Sequence, residues 1–167
     1  MKLNPKSVGR ALAQVERYEK GLEEKTERLR RRVAEELWQL CKEGFNGSVY
    51  DDIIHDGMRV PDVEVTRDEK GTVSVVAALG KEAVFAEFGA GVYYNPGGSP
   101  NPMSPPGVVA IGTYGQGRGS RKVWGFYDEQ GNLHLTHGTP ASMPMYRAIQ
   151  AVAQRLPELA REVFAGP

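Results

Sequence analysis

One cysteine, three histidines, no net charge and no long apolar run: these scarcities in 167 residues exclude several kinds of protein before any motif is read. The lone Cys41 cannot form an internal disulfide, which fits folding in a reducing cytosol. Lys plus Arg and Asp plus Glu both total 21, so no long-range field draws the whole molecule to nucleic acid or an anionic membrane. Any partner surface must therefore be local. No run of about 18 apolar residues is present, and the charged N-terminus lacks an apolar signal region, so the chain reads as soluble and unexported. The length suits a single domain, 1–167, with room for a core.

Groups able to do chemistry are equally thin. His134 and His137 stand three apart near a strand end, where they point to opposite faces, and no Cys or acid has metal-ligand spacing to them. Glu82 and Glu87, five apart on an expected strand, also face opposite sides and make no acid/base pair. GQGRG at 115–119 has the glycines of a phosphate loop but neither its lysine nor its strand-to-helix setting. Ser120, Ser142 and Cys41 have no base in a recognisable arrangement. The expectation is no catalytic residue, no cofactor and no metal.

What the chain does have is pattern. Val8, Leu12, Val15, Leu22, Leu29, Val33, Leu37, Leu40 and Cys41 recur at three, four and seven residue spacings among dense charges, which predicts an amphipathic helix over about 5–44. Pro5 suits its first turn, Gly44 is a reasonable stop, and Gly21 is a point where it could divide or kink. About 40 continuous helical residues would rise roughly 60 Å, against a radius of gyration of about 15 Å for a compact domain of this size. Part of the helix must then project or fold back at Gly21. The half before Gly21 reads as an interaction arm whose stripe suits a second copy of the chain; the half after it suits either such a partner or the subunit's own sheet.

VEVTR and TVSVVAAL, separated by DEKG, read as strands, as does 83–88 after the Gly80 break. Residues 122–127 and 132–136 form a hairpin around DEQGN. The expected fold is α+β: a long N-terminal helix (1–44), a small, mostly antiparallel sheet (48–140) and an amphipathic C-terminal helix (142–164) packed on that sheet. Ser142 is placed as the N-cap of the closing helix, and Pro157 should kink it or start a second one. Between strands, 89–120 carries nine Gly and five Pro, which no helix or central strand tolerates. A loop this long in a compact domain is usually functional; it is expected to be mobile alone and to order against a partner. Arg28, Arg30, Arg31 and Arg32, with Lys25 nearby, are the candidate phosphate contacts, although flanking glutamates suit i,i+4 pairing on a solvated face.

Two segments carry a resemblance: FAEFGAG at 85–91 and THGTPASMPM at 136–145. Together with the order of parts over about 5–164, they resemble the neck, or head-tail joining, family of long-tailed bacteriophages, also described as tail-completion or minor tail components. That family shows a VEFGTG-like motif, a variable Gly/Pro/Tyr loop, an HGTPAxPFM-like turn and a closing helix. This chain departs from it with Ala90 where Thr is common and Met143-Pro144-Met145 where Pro-Phe-Met is usual. The resemblance implies a virion structural protein, assembled in the host bacterial cytoplasm, that forms an oligomeric ring at the head-tail junction.

On that footing the partners are sister copies and neighbouring head-completion, connector and tail proteins, with DNA met only through the lumen and no membrane. Leu12, Val15, Leu22, Tyr93, Tyr94 and Tyr114 are the candidate association residues. Glu87, Phe88, Gly89, Gly91, His137, Gly138 and Pro140 are motif residues with structural parts: Gly89 and Gly91 let the chain leave a strand sharply, Glu87 and Phe88 face solvent and core, and Gly138 and Pro140 set a turn. Two other readings stay open: a DNA-binding module using the arginines at 28–32, and a small hydrolase.

Overall fold

The structure is a computed structural model, and it describes residues 4–53, 57–80, 82–104, 121–127 and 130–165. Helix α1 spans Pro5–Asn46 without a break at Gly21, about 63 Å of helix by its 42 residues. Its start is set by a capping box: Asn4 Oδ1 accepts from Lys6 N at 2.8 Å, and Ser7 Oγ accepts from Asn4 N at 3.2 Å, with Pro5 at the first helical position. Gly44 is not the stop. It lies inside the helix, where a Cβ would come within 2.8 Å of Pro144 Cβ, so its smallness serves the closest approach of another helix. Gly47 forms the cap instead, donating to the Glu43 carbonyl at 2.9 Å.

Three antiparallel hairpins follow: β1 (Tyr50–Asp52) with β2 (Gly57–Arg59), β3 (Glu64–Lys70) with β4 (Val73–Leu79), and β5 (Trp124–Tyr127) with β6 (Leu133–Thr136). The β3–β4 and β5–β6 hairpins stand where the alternating runs predicted them. The small antiparallel sheet is thus divided into two-stranded pieces, and a backbone hydrogen bond, Ile53 N to Leu135 O at 2.8 Å, links the end of the first to the third. An isolated two-stranded ribbon is marginal in water. The β3–β4 ribbon leans on α1: Trp38 Nε1 donates to Val65 O at 2.7 Å, and Phe45 packs with Val63, Val65 and Ala78.

Residues 83–88 form helix α2 (Ala83–Phe88) rather than the expected strand. Six residues carry too few repeats to separate a period of 3.6 from one of 2, and burial of Ala83 and Ala86 against Phe45 decides the matter. Helix α3 (Pro144–Ala165) closes the chain and passes through Pro157 as one element. The carbonyl that Pro157 leaves unbonded belongs to Ala153, which is exposed, so water can serve it. This helix packs chiefly on α1 and touches α2, rather than covering the sheet. It runs antiparallel to α1: Pro144 meets Gly44, Arg155 pairs with Glu36, Arg32 Nη2 lies 2.7 Å from Glu162 Oε2, and Lys25 Nζ donates to Phe164 O at 3.2 Å. The overall arrangement is α+β, as the sequence patterns predict. Among the described residues no helix is long and apolar enough to cross a membrane.

Candidate functional site

Since α3 ends beside Lys25 and the β3–β4 turn reaches only as far as Arg30, none of the described residues is laid against the first five turns of α1. From Lys6 to Glu24 every residue is exposed except Ala13 and Gly21, which are partly so. The exposed set includes Val8, Leu12 at 58%, Val15, Tyr18 at 71% and Leu22. These residues continue the seam that α3 covers further along. Glu36, Leu29, Leu22, Val15 and Val8 are spaced by sevens, as are Arg32, Lys25, Tyr18 and Ala11. The stripe is covered as far as Lys25 and bare beyond it. The half after Gly21 packs within the subunit, on α3 and the β3–β4 ribbon.

The two sequence motifs meet each other. Ala90 and Thr139 exchange a pair of backbone hydrogen bonds at 2.8 and 2.9 Å, and the Ser142 and Met143 amides both donate to Ala86 O. Gly138 has φ 106°, and a Cβ there would sit 2.0 Å from the Ala90 carbonyl oxygen, so no other residue fits the crossing. Gly89, at φ 78°, ends α2, and Gly91, at φ 77°, lies under the His137 carbonyl. Pro140 is half-buried next to this bridge.

At the centre of the crossing stands Glu87, 8% exposed, whose expected face is reversed: it is buried, and Phe88 is half-buried. Its carboxylate accepts from Met145 N at 2.7 Å, Tyr146 N at 2.9 Å and Asn101 Nδ2 at 2.8 Å. It is therefore the N-terminal cap of α3, supplied from 58 residues upstream, where a negative charge also meets the positive end of the helix dipole. Ser142 is not the cap. Met143 occupies that place with φ 55°, the one positive φ among the described non-glycine residues.

The same knot holds the beginning of the Gly/Pro loop. Buried Asn95 donates to Thr139 O at 3.0 Å, and buried Asn101 holds Glu87 while accepting from Met103 N at 2.9 Å. Residues 89–104 are thus hydrogen-bonded to the motif segments within one chain, through two amide side chains. The signal was present as two Asn-Pro pairs, 95–96 and 101–102, a pairing that marks anchored turns. The remainder of the loop, 105–120, with Tyr114 and Ser120, lies outside the described residues.

Tyr93 is exposed, lies tilted against His137 with ring centroids 4.6 Å apart, and meets Tyr94 edge-on at 4.9 Å. His137 is oriented by Asp51, whose Oδ2 lies 2.8 Å from both its Nδ1 and its backbone N. Burial pushes the Tyr94 hydroxyl pKa up, with the Asp51 charge adding to it. His134 stacks flat on Phe126 at 5.1 Å. The histidines thus have aromatic and backbone-positioning parts. Among the described residues no group of three His, Cys, Asp or Glu is placed to hold a metal.

Three of the four candidate DNA-facing arginines are engaged. Arg30 binds Glu27 at 2.9 Å, Glu69 at 2.8 Å and the Ser74 hydroxyl; Arg31 binds Glu27 at 3.0 Å; Arg32 binds Glu162. Arg28 is exposed and pairs with no acid among the described residues. The Arg30 hydrogen bond holds the Glu27 carboxyl down at about 2. A cleft of about 680 Å³ opens between α2 and the β5–β6 hairpin, floored by Phe85, Trp124 and Phe126. Its one ionisable lining residue, Glu82, is occupied in accepting from Asp62 N at 2.7 Å, so the described lining holds no converging acid and base. No protein-family model, curated protein or solved structure matches this chain.

Proposed function

We propose that this chain is a structural component of the neck of a long-tailed bacteriophage, self-assembling into a ring that joins the portal side of the head to the tail. The observation that carries this reading is the bare arm: about 30 Å of helix beyond the described remainder of the fold, bearing a stripe of five large exposed apolar side chains. Surface of that kind gains burial only against another molecule. The motif resemblance gives the setting. The interlock of 85–91 with 136–145 supports it, since both segments serve as scaffold rather than as reactive groups.

Head-completion, connector and tail proteins are the neighbours on this reading, with Tyr93 and Tyr94 as aromatic anchors beside the motif knot. The acid pairing of Arg30, Arg31 and Arg32 does not favour the DNA-binding alternative. Negative-stain electron microscopy of the concentrated protein tests the proposal: closed rings of uniform diameter are expected, and featureless monomers at every concentration would reject it.

A further inference from the structure

The β3–β4 ribbon has two edges of opposite character. Strand β3 carries five charged residues in seven, the guard that exposed sheet edges ordinarily have, and its Val65 carbonyl is taken by Trp38. Strand β4 reads VSVVAAL, with no charge and no proline. Val73, Val75 and Leu79 are exposed on the face turned away from α1, while Ser74 on the other face meets Arg30. The backbone of this edge is as open as its side chains. Lys70 and Val73 close the ribbon across the two residues Gly71 and Thr72, which makes them a hydrogen-bonded pair. Alternation along the ladder then turns the N–H and C=O of Ser74, Val76 and Ala78 away from β3. The Val65 carbonyl, opposite Ala78, points out of the ladder by the same rule, and Trp38 reaches it there. Among the described residues no backbone hydrogen bond from outside the ribbon meets Ser74, Val76 or Ala78.

We infer that the β4 edge accepts a strand from a different protein of the head-tail junction, an extended segment with apolar or β-branched side chains at alternate positions that cover Val73, Val75 and Leu79. The identity of this partner rests on the neck reading above. Only an extended backbone presents donors and acceptors at the spacing of a strand edge. A second copy is not the source of that strand. Pairing β4 with β4 of another copy needs a two-fold axis and stops at a pair, whereas the members of a ring repeat head to tail. A head-to-tail neighbour would have to offer some other edge. Its β3 is charged and bound at Val65, and β1, β2, β5 and β6 have three or four residues each against the seven of β4.

The test uses the full-length chain and, as probe, the fluorescently labelled peptide KKVTVTVTVKK in physiological salt, which screens its lysines. Wild type is expected to bind it. Val76→Pro removes an outward N–H and no bond of the β3–β4 ladder, so the variant should keep its circular dichroism and bind at least about tenfold more weakly. Val75→Lys places a charge on the exposed face, as guarded edges do, and should weaken binding likewise; it carries the test should the proline variant misfold. Residue-resolved amide exchange gives a second readout: in the free chain Ser74, Val76 and Ala78 should exchange at least about tenfold faster than Val75 and Ala77, and the peptide should abolish that difference.

A wild-type chain that does not bind the peptide, or that binds it equally well after both substitutions, overturns the inference. Slow exchange of Ser74, Val76 and Ala78 without peptide overturns it too, because the chain itself or a second copy then covers the edge. Rings without peptide binding reject the strand site alone; peptide binding without rings keeps the strand site and rejects the ring.

Discussion

At the scale of single residues, the decisive group is a carboxylate that a sequence reader places on the wrong face. Glu87 looks like a solvent-facing strand residue because its neighbours are apolar and alternate. In the fold it is enclosed and holds two backbone amides and an asparagine. Leaving such donors unpaired in a buried site is costly, so Glu87→Ala should lower unfolding free energy by about 3 kcal/mol or more, measured by urea denaturation. Gly138→Ala should cost a comparable amount, about 2–4 kcal/mol, because its Cβ would overlap the Ala90 carbonyl and its φ is positive.

Two titrating groups give further checks. Burial pushes the Cys41 thiol up to about 11, with the nearby Glu87 charge adding to it. A thiol reagent at pH 8 should therefore modify Cys41 only as the protein unfolds, and stoichiometric labelling of the native chain would contradict its burial. Glu27 is shifted the other way: held at about 2 from an ordinary value of 4.5, its ion pair contributes above about pH 4.5 and loses that contribution as pH falls toward 2. The difference in melting temperature between wild type and Glu27→Gln should therefore shrink across that window, and it should be small throughout because the pair is open to solvent and screened by salt.

At the scale of elements, periodicity was a good guide wherever an element had enough turns to show one. The 42-residue α1, the β3–β4 and β5–β6 hairpins and the closing helix stand within a few residues of their predicted positions. It failed for α2, where six residues are too few to reveal a period and tertiary burial outweighs the strand preference of Val and Phe. Sequence spacing was also silent about the motif knot, since Glu87 and Met145 are neighbours only after the chain has folded.

Gly21 illustrates a third limit. A mid-helix glycine costs about 1 kcal/mol relative to alanine, which is too little to break a helix whose neighbouring turns are intact. The bare arm should nonetheless be weakly held in the free chain, because most helical stability in proteins comes from packing of an amphipathic face rather than from propensity. Amide hydrogen exchange should show little protection over 6–20 and strong protection over 34–45, where Ala34, Cys41 and Phe45 are buried. Equal protection along α1 in a monomer would contradict the view that packing alone stabilises its second half.

At the scale of the whole molecule, the architecture separates into a self-sufficient body and an unsatisfied arm. Helix α3, α2, the β3–β4 ribbon and the second half of α1 hold one another through the Phe45 cluster and the Glu87 knot, and none of these contacts draws on residues before Lys25. On the proposed function this separation serves assembly. Sedimentation equilibrium on the full chain and on a chain lacking residues 1–20 tests it most directly. An oligomer for the first and a folded monomer with an unaltered melting temperature for the second is the predicted pair of results, whereas an undiminished oligomer after truncation, or a full chain that never associates, would contradict it.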